Sequence, residues 1–572
     1  MATPYAVGSA ILVAGRKLSE SLQAYVDEVV VDDDLHNPSM FAISLRDPRR
    51  DIIGRTGLKP GAEVEIAVEG QGATDAAPLL VGNVVTIECD YDEIGARVVV
   101  RGYDASHQLH LGRTTQVFQN ATDGDIFKQV VEQAGLTVGT IAPTTEVHEH
   151  VTQPNATAWE FLTARARQVG RDLVVAGKDV LLREPITADD APSEAGAEAD
   201  PASIDPRHLV YGFNLVAFHG RISAAEQVGS VEVRGYDVER KEAVVGTAQP
   251  GTVAAGITGG DPQKLGTIFG EPAFVRVGKV KTAREAEDAA KALAERIGSG
   301  FAEVEGTARG STALRAGVAV RVSRVSEEFN GAYVLSRVRH TLDRTGYRTH
   351  FTISGRHDRS LLGLVSHASN GNGNGNGNGA AKAEQRMYGL VRGLVSGNAD
   401  PEKLGRVKVR LPWFAEDYSS HWAPVLQLGA GPESGTLFLP AVDDEVLVGF
   451  EFGDMDRPFV IGGLFNPIDK PPEYGHFLDD GKITGRSITS RKGHELAFLD
   501  GDDNSGLTIM VVGDSKTPVV SIGFNATDQK LVIQSEGNVD VDAQGEINLS
   551  ANKITVDAKS KLVLKGGMVE IN

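Results

Sequence analysis

Two closely spaced histidine pairs are the first residues in this sequence that could do chemistry. His148 and His150 flank Glu149, and His107 and His110 are three positions apart. In a strand, positions 148 and 150 share one face, so both imidazoles could reach one metal ion. A zinc site needs three or four ligands with supporting partners, and no neighbouring residue completes the set. We therefore interpret both pairs as solvated surface histidines and predict no metal site.

Other reactive residue types do not form a recognisable site either. The single cysteine, Cys89, lies in an apolar stretch and is interpreted as a small core residue rather than a nucleophile. The Gly-rich stretch 251–260 lacks the ending of a phosphate-binding loop, and no Gly-x-Ser-x-Gly motif occurs. Carboxylates are abundant, but a glycosidase needs two of them at a defined separation in a cleft. We predict no catalytic residue, no cofactor and no enzyme activity.

Composition and charge narrow the range of partners. The chain has 572 residues, which favours several domains, and a net charge of −20. Nucleic acids and anionic membranes attract clustered basic residues, so we predict neither as a partner. No targeting signal and no apolar run of 18 residues occur. We expect synthesis and folding in the cytosol.

The C-terminal stretch from about Val519 to Asn572 carries a short repeat. Apolar residues recur there in skip-one pairs, which is typical of short strands with one dry face. The pairs start every seven or eight residues, and a fixed short period indicates a stacked array. They are Leu531 and Ile533, Val539 and Val541, Ile547 and Leu549, Ile554 and Val556, Leu562 and Leu564, and Val569 and Ile571.

The length of the repeat favours three intertwined chains. Eight residues in a strand span about 26 Å, which is one face and a corner, too short for a full coil of one chain. Three chains, each giving one face, would pair the backbone edges that a lone series of strands leaves open. We predict an intertwined trimeric β-helix, a stiff needle. The alternative is an ordinary meander of short strands within one chain.

The first part of the chain is predicted to be mixed β with a few helices. Three helices share one start signal, a Thr followed three residues later by an acid, which typifies a capping box. A Gly after each helix predicts a left-handed stop. A hairpin is predicted around Gly177 and Lys178, and the acidic stretch 187–206 is predicted to be a mobile surface loop. The three boxes are Thr122 with Asp125, Thr157 with Glu160, and Thr282 with Glu285, and the stops are Gly135, Gly170 and Gly298.

Four domains follow from these patterns. Five Asn-Gly repeats at 370–379 predict a flexible tether. Five short strands after it fit a closed barrel of the OB type; they are Met387–Leu394, Gly405–Leu411, Thr436–Leu439, Glu445–Phe452 and Phe459–Leu464. The predicted fold is mainly β with a few helices (α+β): a β-barrel hub, an OB-fold collar and a trimeric β-helix. The domains are a hub at 1–365, a linker at 366–385, an OB-fold domain at 386–468 and a spike at 469–572.

Several motifs resemble one family of structural proteins. The barrel motifs resemble the OB domain of the spikes of contractile injection machines. This group includes VgrG of type VI secretion, the hub–spike fusions of phage tails and the spikes of extracellular injection particles. They are Asn398–Trp413, His421–Pro424, Pro440–Val446, Asp456–Pro458 and Gly462–Asn466. The first half is similar to the late-control protein D or baseplate-hub family. The positions that carry this similarity are Arg101–His110, Asn120–Ile126 and Trp159–Leu162.

The resemblance implies a structural role and a set of partners. It implies a homotrimer whose hub has two similar β-domains per copy and so presents a pseudo-sixfold ring to the hexameric inner tube. Baseplate proteins and effector cargo are further implied partners, with assembly in the bacterial cytoplasm and release or insertion into a target envelope on contraction. Within the barrel, Asp400 and Pro401 are expected to form a turn, Trp413 and Trp422 to lie in the core, and Gly405 to mark close backbone packing.

The end of the needle is predicted to dock a tip protein. Met568, Val569 and Ile571 would be exposed there, and we infer a separate cap of the PAAR type on them. The predicted function is a central spike and baseplate hub that joins the inner tube to a membrane-piercing needle. The alternatives are a stalk-borne hydrolase of cell wall or glycan and a receptor-binding tail fibre. The sequence does not distinguish the classes of contractile machine, the cargo or the target cell.

Overall fold

The computed structural model describes residues 8–69, 78–355 and 387–571. Short internal gaps lie at 94, 145, 195–203, 238–239, 271, 278–279, 281, 388, 416–417, 473–476 and 515–516. The predicted linker at 366–385 lies outside the described residues. The chain divides into two compact units, Met1–Leu464 and Phe465–Asn572, which are described separately.

The hub, residues 8–355 of the first unit, is built mostly from strands. Alternating buried and exposed positions within them match the skip-one pattern of the sequence. In chain order they are β1 Gly8–Val13, β2 Arg16–Lys17, β3 Val26–Asp34, β4 Met40–Arg46, β5 Glu63–Glu69, β6 Leu80–Tyr91, β7 Ala96–Asp104, β8 Thr114–Thr122, β9 Thr137–Ile141, β10 Val147–Ala156, β11 Asp172–Ala176, β12 Asp179–Arg183, β13 His208–Val210, β14 Leu215–Ile222, β15 Ser230–Asp237, β16 Glu242–Ala248, β17 Ala255–Ile257, β18 Ala273–Val277, β19 Ala302–Arg309, β20 Ala319–Ser323, β21 Gly331–Val334, β22 Arg337–Asp343 and β23 Gly346–Ile353.

Helices are fewer, and the three predicted capping boxes are all present. In each box the Thr hydroxyl accepts from the third backbone N–H while the acid accepts from the Thr backbone N–H. The described helices are α1 Glu20–Gln23, α2 Ile52–Thr56, α3 Asp123–Gln133, α4 Ala158–Gln168, α5 Pro262–Thr267 and α6 Ala283–Ser299, with 3-10 turns at Ala105–His110, Ala188–Asp190, Glu327–Phe329 and Glu451–Gly453. The predicted fold class, mainly β with a few helices, is confirmed.

One large sheet unites the two halves of the hub. Its eleven strands run in the order β14-β19-β23-β22-β3-β4-β7-β6-β5-β1-β2, and the antiparallel β3–β22 pair joins the early strands to the late ones. Separate apolar cores lie on the two sides of this junction, around Phe41 and Val98 and around Phe301 and Phe351. A third core forms where α3 and α4 pack against their own small sheets.

Four expectations about the hub are wrong in detail. Gly298 is not a left-handed stop, because α6 continues through it and a Cβ there would lie 2.2 Å from the carbonyl oxygen of Gly251. Gly298 is therefore a site of close backbone approach. Cys89 is exposed, because the second half of β6 extends beyond the apolar core. The start of the acidic stretch packs against the hub, since Ala188 is buried and its N–H donates to the Val253 carbonyl oxygen. Residues 195–203 of this stretch lie outside the described residues. His150 is buried, as described below.

The barrel, residues 387–464, is a five-stranded sheet that nearly closes on itself. Its order is Ala423–Pro424, Arg406–Arg410, Val391–Gly397, Glu445–Phe450 and Pro458–Gly463, and a bridge between Val425 and Val460 joins the two ends. In chain order the strands of this region are β24 Val391–Gly397, β25 Arg406–Arg410, β26 Ala423–Pro424, β27 Ala430–Gly431, β28 Ser434–Gly435, β29 Glu445–Phe450 and β30 Pro458–Gly463.

The fifth barrel strand is not the predicted one. Ala423–Pro424 takes that place, whereas Thr436–Leu439 leaves the sheet. The side chain of Gln427 bonds the backbone N–H and carbonyl of Phe438, so these groups are not offered to a strand ladder. A short arm, β27–β28, forms instead.

The tryptophans of the barrel lie outside its core, contrary to expectation. The core is filled mainly by valines, with Leu411, Tyr418 and Met455 as its larger side chains. Trp413 is 53% exposed and its Nε1 donates to the Arg392 carbonyl at 2.8 Å. Trp422 is half-buried beneath the Lys408 ammonium. Gly405 has a φ of +71°, and a Cβ there would meet only ordinary contacts, so its backbone conformation rather than close packing favours Gly.

The predicted turn at the start of the barrel motif is held by one carboxylate. Asp400 accepts from the backbone N–H groups of Glu402, Leu404 and Arg406, and it also pairs with the Arg406 guanidinium. The hydrogen bond from that guanidinium holds the pKa of Asp400 well below its usual range. The motif therefore has a structural explanation.

The second unit holds a five-stranded antiparallel meander followed by chain without internal pairing. The strands are β31 Leu478–Asp479, β32 Lys482–Ile483, β33 Gly485–Thr489, β34 Glu495–Asp500, β35 Ser505–Val512, β36 Pro518–Asn525 and β37 Lys530–Ser535. β33 to β37 form one sheet in sequence order, here called the stalk sheet. Residues 519–535, predicted as the start of the needle, thus belong to a meander within one chain.

Candidate assembly surfaces

The stalk sheet has one predominantly apolar face and one mixed face, on which Leu499 and Met510 accompany small and polar side chains. Its register places Ile488, Leu496, Ile509, Ile522 and Ile533 side by side across all five strands. The next row on the same face contains Phe498, Leu507, Phe524 and Leu531. The opposite face carries Ser487, Ala497, Thr508, Gly523 and Val532. This division follows directly from the two-residue period of a strand.

None of the described residues of the second unit covers that apolar face. Ile509, Phe524, Leu531 and Ile533 are all exposed. A shallow depression of about 420 Å³ between Leu507, Phe524 and Leu531 is part of this open face. A contiguous exposed apolar surface of this kind marks an interaction site.

The tail segment, residues 536–571, continues the apolar pattern without any paired strand. All of its residues are exposed in the isolated chain. Backbone groups of a strand need partners, and none of those within this segment finds one in a ladder of its own chain. At its end the predicted docking residues Met568, Val569 and Ile571 are 78%, 51% and 84% exposed.

The histidine pairs are separated by the fold rather than gathered into a site. His148 Nε2 lies 2.9 Å from Asp123 and 2.7 Å from Arg165. Burial opposes ionisation of Asp123, but the hydrogen bond from His148 and the charge of Arg165 outweigh it and lower the pKa of that carboxyl. His107 stacks on Tyr103, and His110 stacks on Trp159. Among the described residues, no group of three or more His, Cys, Asp or Glu could hold a metal ion.

His150 lies in a joint between the hub and the barrel. Its side chain is only 5% exposed. Its Nδ1 is 3.0 Å from Asp456 Oδ1 and its Nε2 is 3.1 Å from the Ser419 carbonyl oxygen. The Thr152 hydroxyl donates to the same Asp456 oxygen at 2.6 Å, and Glu149 pairs with His421 at 3.2 Å. Strand β10 of the hub therefore holds the barrel through polar contacts.

The hub core contains further titratable groups that are engaged with protein partners. Burial raises the pKa of Asp32, but hydrogen bonds from Arg337 and Arg339 outweigh it and hold that pKa below its usual value. Burial raises the pKa of Asp104 to about 6 and lowers the pKa of His340 to about 3.

The sequence analysis predicted neither the joint between hub and barrel nor the apolar face of the stalk sheet, but only the second had a signal in the sequence. His150 and Asp456 are 306 positions apart, and no local pattern connects them. The stalk sheet could have been predicted, because apolar residues at alternate positions also run through β34 to β36. We used this pattern as evidence for strands only from Val519 onward.

A transmembrane helix is not seen in the described part of the chain, where no helix combines the length and apolar character needed for one.

Comparison with known families covers both parts of the first unit. Residues 4–344 match the family described as the Alg8 N-terminal domain, and residues 391–465 match the type VI secretion system/phage-baseplate injector OB domain. The first match spans more than half of the chain. The chain belongs to the Alg8 N-terminal domain family. The second match coincides with the barrel and includes its Asp400 turn.

Curated relatives are spike proteins, matched over short segments. The chain is 31% identical over 130 residues to the type VI secretion system spike protein VgrG2a of Pseudomonas aeruginosa, which covers 22% of the chain and 15% of that protein. It is 36% identical over 176 residues to the actin cross-linking toxin VgrG1 of Vibrio cholerae, which covers 30% of the chain and 15% of the toxin. The chain thus aligns with less than one fifth of the length of either relative.

A solved structure shares the fold over nearly the whole chain. The Francisella PdpA–VgrG complex, half-lidded, contains a chain with a TM-score of 0.53 and 10% identity. The match covers 93% of this chain and 89% of that one. The likeness extends the similarity from sequence segments to the complete hub, barrel and stalk fold.

Proposed function

We propose that this protein is the central spike and baseplate hub of a contractile injection machine. In this role it joins a hexameric inner tube to a membrane-piercing needle. The observation that carries the proposal is the uncovered apolar face of the stalk sheet, which continues into 36 residues of patterned but unpaired chain. Such a segment lacks backbone partners and apolar cover within one chain. The likeness of this chain to spike proteins supports the same interpretation independently.

Three copies would complete the segment. Three stalk sheets can turn their apolar faces inward as a three-sided prism, which removes these side chains from water. The tail segments can then wind together, each chain supplying strands that pair with the other two. Stiffness follows because every backbone edge is paired, and a stiff rod transmits axial force without bending.

The domain order gives each region a task. We propose that the hub (1–365) meets the inner tube and baseplate proteins, that the linker (366–385) leads to the OB-fold domain (386–468) as a collar, and that the spike (469–572) pierces. Met568, Val569 and Ile571 would dock a PAAR-type tip protein, and effector cargo could travel with it. Assembly would take place in the bacterial cytoplasm, and contraction would release the spike or drive it into the target envelope.

We propose that this role needs no catalysis. Shape, stiffness and symmetry perform it, and the strongly shifted titratable groups serve the hub core. The rival function is a stalk-borne hydrolase of cell wall or glycan. Incubation of the purified protein with peptidoglycan separates the two, because release of soluble fragments would support the rival.

The mass of the particle in solution tests the proposal. Light scattering on the full chain should give about three times the chain mass of 60.7 kDa. A particle of one chain mass would remove the basis for a needle. The docking site is tested separately with Met568→Asp and Ile571→Asp in one variant. This variant should remain trimeric yet lose binding of a PAAR-type protein. Thr555→Asp, on the polar side of the repeat and far from the tip, is the comparison and should keep both the trimer and the binding.

A further inference from the structure

The joint between hub and barrel contains the imidazole of His150, which can donate hydrogen bonds to both of its neighbours in only one protonation state. His150 faces an acceptor on each side, the Asp456 carboxylate at 3.0 Å and the Ser419 carbonyl at 3.1 Å. A neutral imidazole has one N–H and the protonated ring has two. Only the protonated ring can donate to both oxygens.

The surroundings of Asp456 favour its ionised form. It accepts from the Thr152 hydroxyl at 2.6 Å and from the Thr152 backbone N–H at 3.4 Å. A carboxylate accepts all of these bonds, whereas a protonated acid would have to give up one acceptor position. The partner of His150 Nδ1 is therefore an anion, and the contact is charge-assisted.

Other charges around the ring are mixed. The ring of His421 meets His150 edge-on at 5.7 Å between centroids, and its Nε2 lies 3.2 Å from Glu149. Tyr418 donates its hydroxyl to the Met455 carbonyl, and burial raises its pKa, so it stays neutral. The remaining groups from each side are the buried Asp454 and the Arg457–Glu451 pair on the barrel, and the Asp123–His148–Arg165 cluster on the hub.

We propose that His150 is a proton-dependent latch that fixes the barrel to the hub. With the ring protonated, β10 holds the barrel through both ring N–H groups. Deprotonation removes one of these bonds, so either the Ser419 carbonyl or the Asp456 carboxylate loses the ring N–H that it accepts from. Loss of a charge-assisted hydrogen bond weakens the contact, so the joint loosens as the pH rises. This inference is independent of the trimer and of the proposed function.

Amide exchange reads the latch directly, because the Thr152 N–H itself bonds Asp456. Hydrogen exchange of the full chain, with labelling times scaled for the intrinsic pH dependence, should be followed for peptides covering 147–156 and 418–424 between pH 5.5 and 8.5. Protection in both should fall by about tenfold towards high pH. A peptide from the β15–β16 hairpin, which packs in a core of its own and lacks His340, serves as the internal reference and should not change.

Matched variants assign the effect to one ring. His150→Gln keeps an amide donor but cannot titrate, so its protection should be low and independent of pH. His219→Gln alters an exposed histidine elsewhere in the hub and should behave as the native chain. A native chain without a pH response, or a His150→Gln chain that retains it, overturns the latch.

A second variant decides the matter if His150→Gln does not fold. Asp456→Asn keeps the shape of the partner and removes the charge that stabilises the cation. The loss of protection should then begin at a lower pH than in the native chain. An unchanged midpoint would show that the ring does not act as a cation against Asp456, and the proposal fails.

Discussion

The β3–β22 junction of the hub and the stalk sheet are both antiparallel β-structure. They differ in whether their side chains find their packing and charge partners within the same chain. At the junction, Asp32 is buried and both guanidinium groups that it needs, from Arg337 and Arg339, come from the same chain. Apolar cores cover the sheet on either side. In the stalk sheet the apolar row around Ile522 has no cover among the described residues of its unit. The first region is complete within one chain, whereas under the proposed function the second is completed by further copies.

This difference separates stability from assembly. A substitution in the hub core should change the free energy of unfolding and leave the particle mass alone. A substitution on the apolar stalk face should change the particle mass first. A hub-core substitution that changes the particle mass, or a stalk-face substitution that changes only the free energy of unfolding, would contradict this difference between the two regions.

The largest effect is expected from Ile522→Asp. Ile522 lies in the middle of the apolar row, so three carboxylates would be buried together at the centre of the prism. Burial of an unpaired charge costs several kcal/mol per chain, which exceeds what the neighbouring apolar contacts return. Light scattering should show single chains or aggregates in place of a trimer. Thr508→Asp, on the opposite face, is the control and should remain trimeric. Loss of the trimer in both variants would show that the effect is not specific to the apolar face.

The next effect is expected from Asp32→Asn in the hub. It removes the buried carboxylate that the half-exposed Arg337 and Arg339 share, and loss of hydrogen bonds between charged groups costs about 2 kcal/mol. Chemical denaturation should report this loss, with the particle mass unchanged. Asp51→Asn removes a partly exposed partner of Arg55 and should cost no more than about 0.5 kcal/mol. Equal losses in the two variants would contradict the argument from burial.

The two regions also differ in how well sequence patterns predicted them. Capping boxes are local, since each spans four residues, and all three were predicted correctly. The left-handed stop at Gly298 was wrong because the constraint comes from Gly251, 47 positions away. Trp413 was expected in the core, but its indole lies at the surface, where it donates to the Arg392 carbonyl, a contact that the sequence does not reveal.

Contacts between distant segments account for what could not be predicted about the candidate surfaces. His148 and His150 were read as a solvated pair, yet one ring bonds Asp123 within the hub and the other bonds Asp456 in the barrel. The apolar face of the stalk sheet needs only the two-residue period and the strand register. The period was visible in the sequence, but the register that aligns Ile488 with Ile533 depends on turns whose lengths vary.

Acid should weaken the hub through His340, with a sign that can be worked out. Burial lowers the pKa of His340 to about 3, compared with about 6.5 in an unfolded chain. Below pH 6.5 the unfolded chain therefore binds a proton that the folded chain excludes. The free energy of unfolding should fall by about 1.4 kcal/mol per pH unit from this group until the pH approaches 3.

Asp104 acts in the opposite direction and provides the control. Its pKa is raised to about 6, so between about pH 6 and 4 the folded chain binds a proton that the unfolded chain does not. His340→Gln should make the loss of stability with falling pH shallower, and Asp104→Asn should make it steeper. Denaturation curves at pH 6.5, 5.5 and 4.5 measure both slopes, and parallel slopes in all three chains would be evidence against these two groups.

The smallest effect is expected from Thr157→Ala at the start of α4. Its hydroxyl accepts from the Glu160 backbone N–H at 3.1 Å, and the Glu160 carboxylate accepts from the Thr157 N–H at 3.1 Å. Removal of such a cap costs about 1 kcal/mol. Because α4 packs within the hub, the loss should appear in denaturation and not in particle mass. Thr157→Ser retains the hydroxyl and should recover most of it. A change in oligomeric state from this local substitution would show that the hub also takes part in assembly, and the division between the two regions would have to be redrawn.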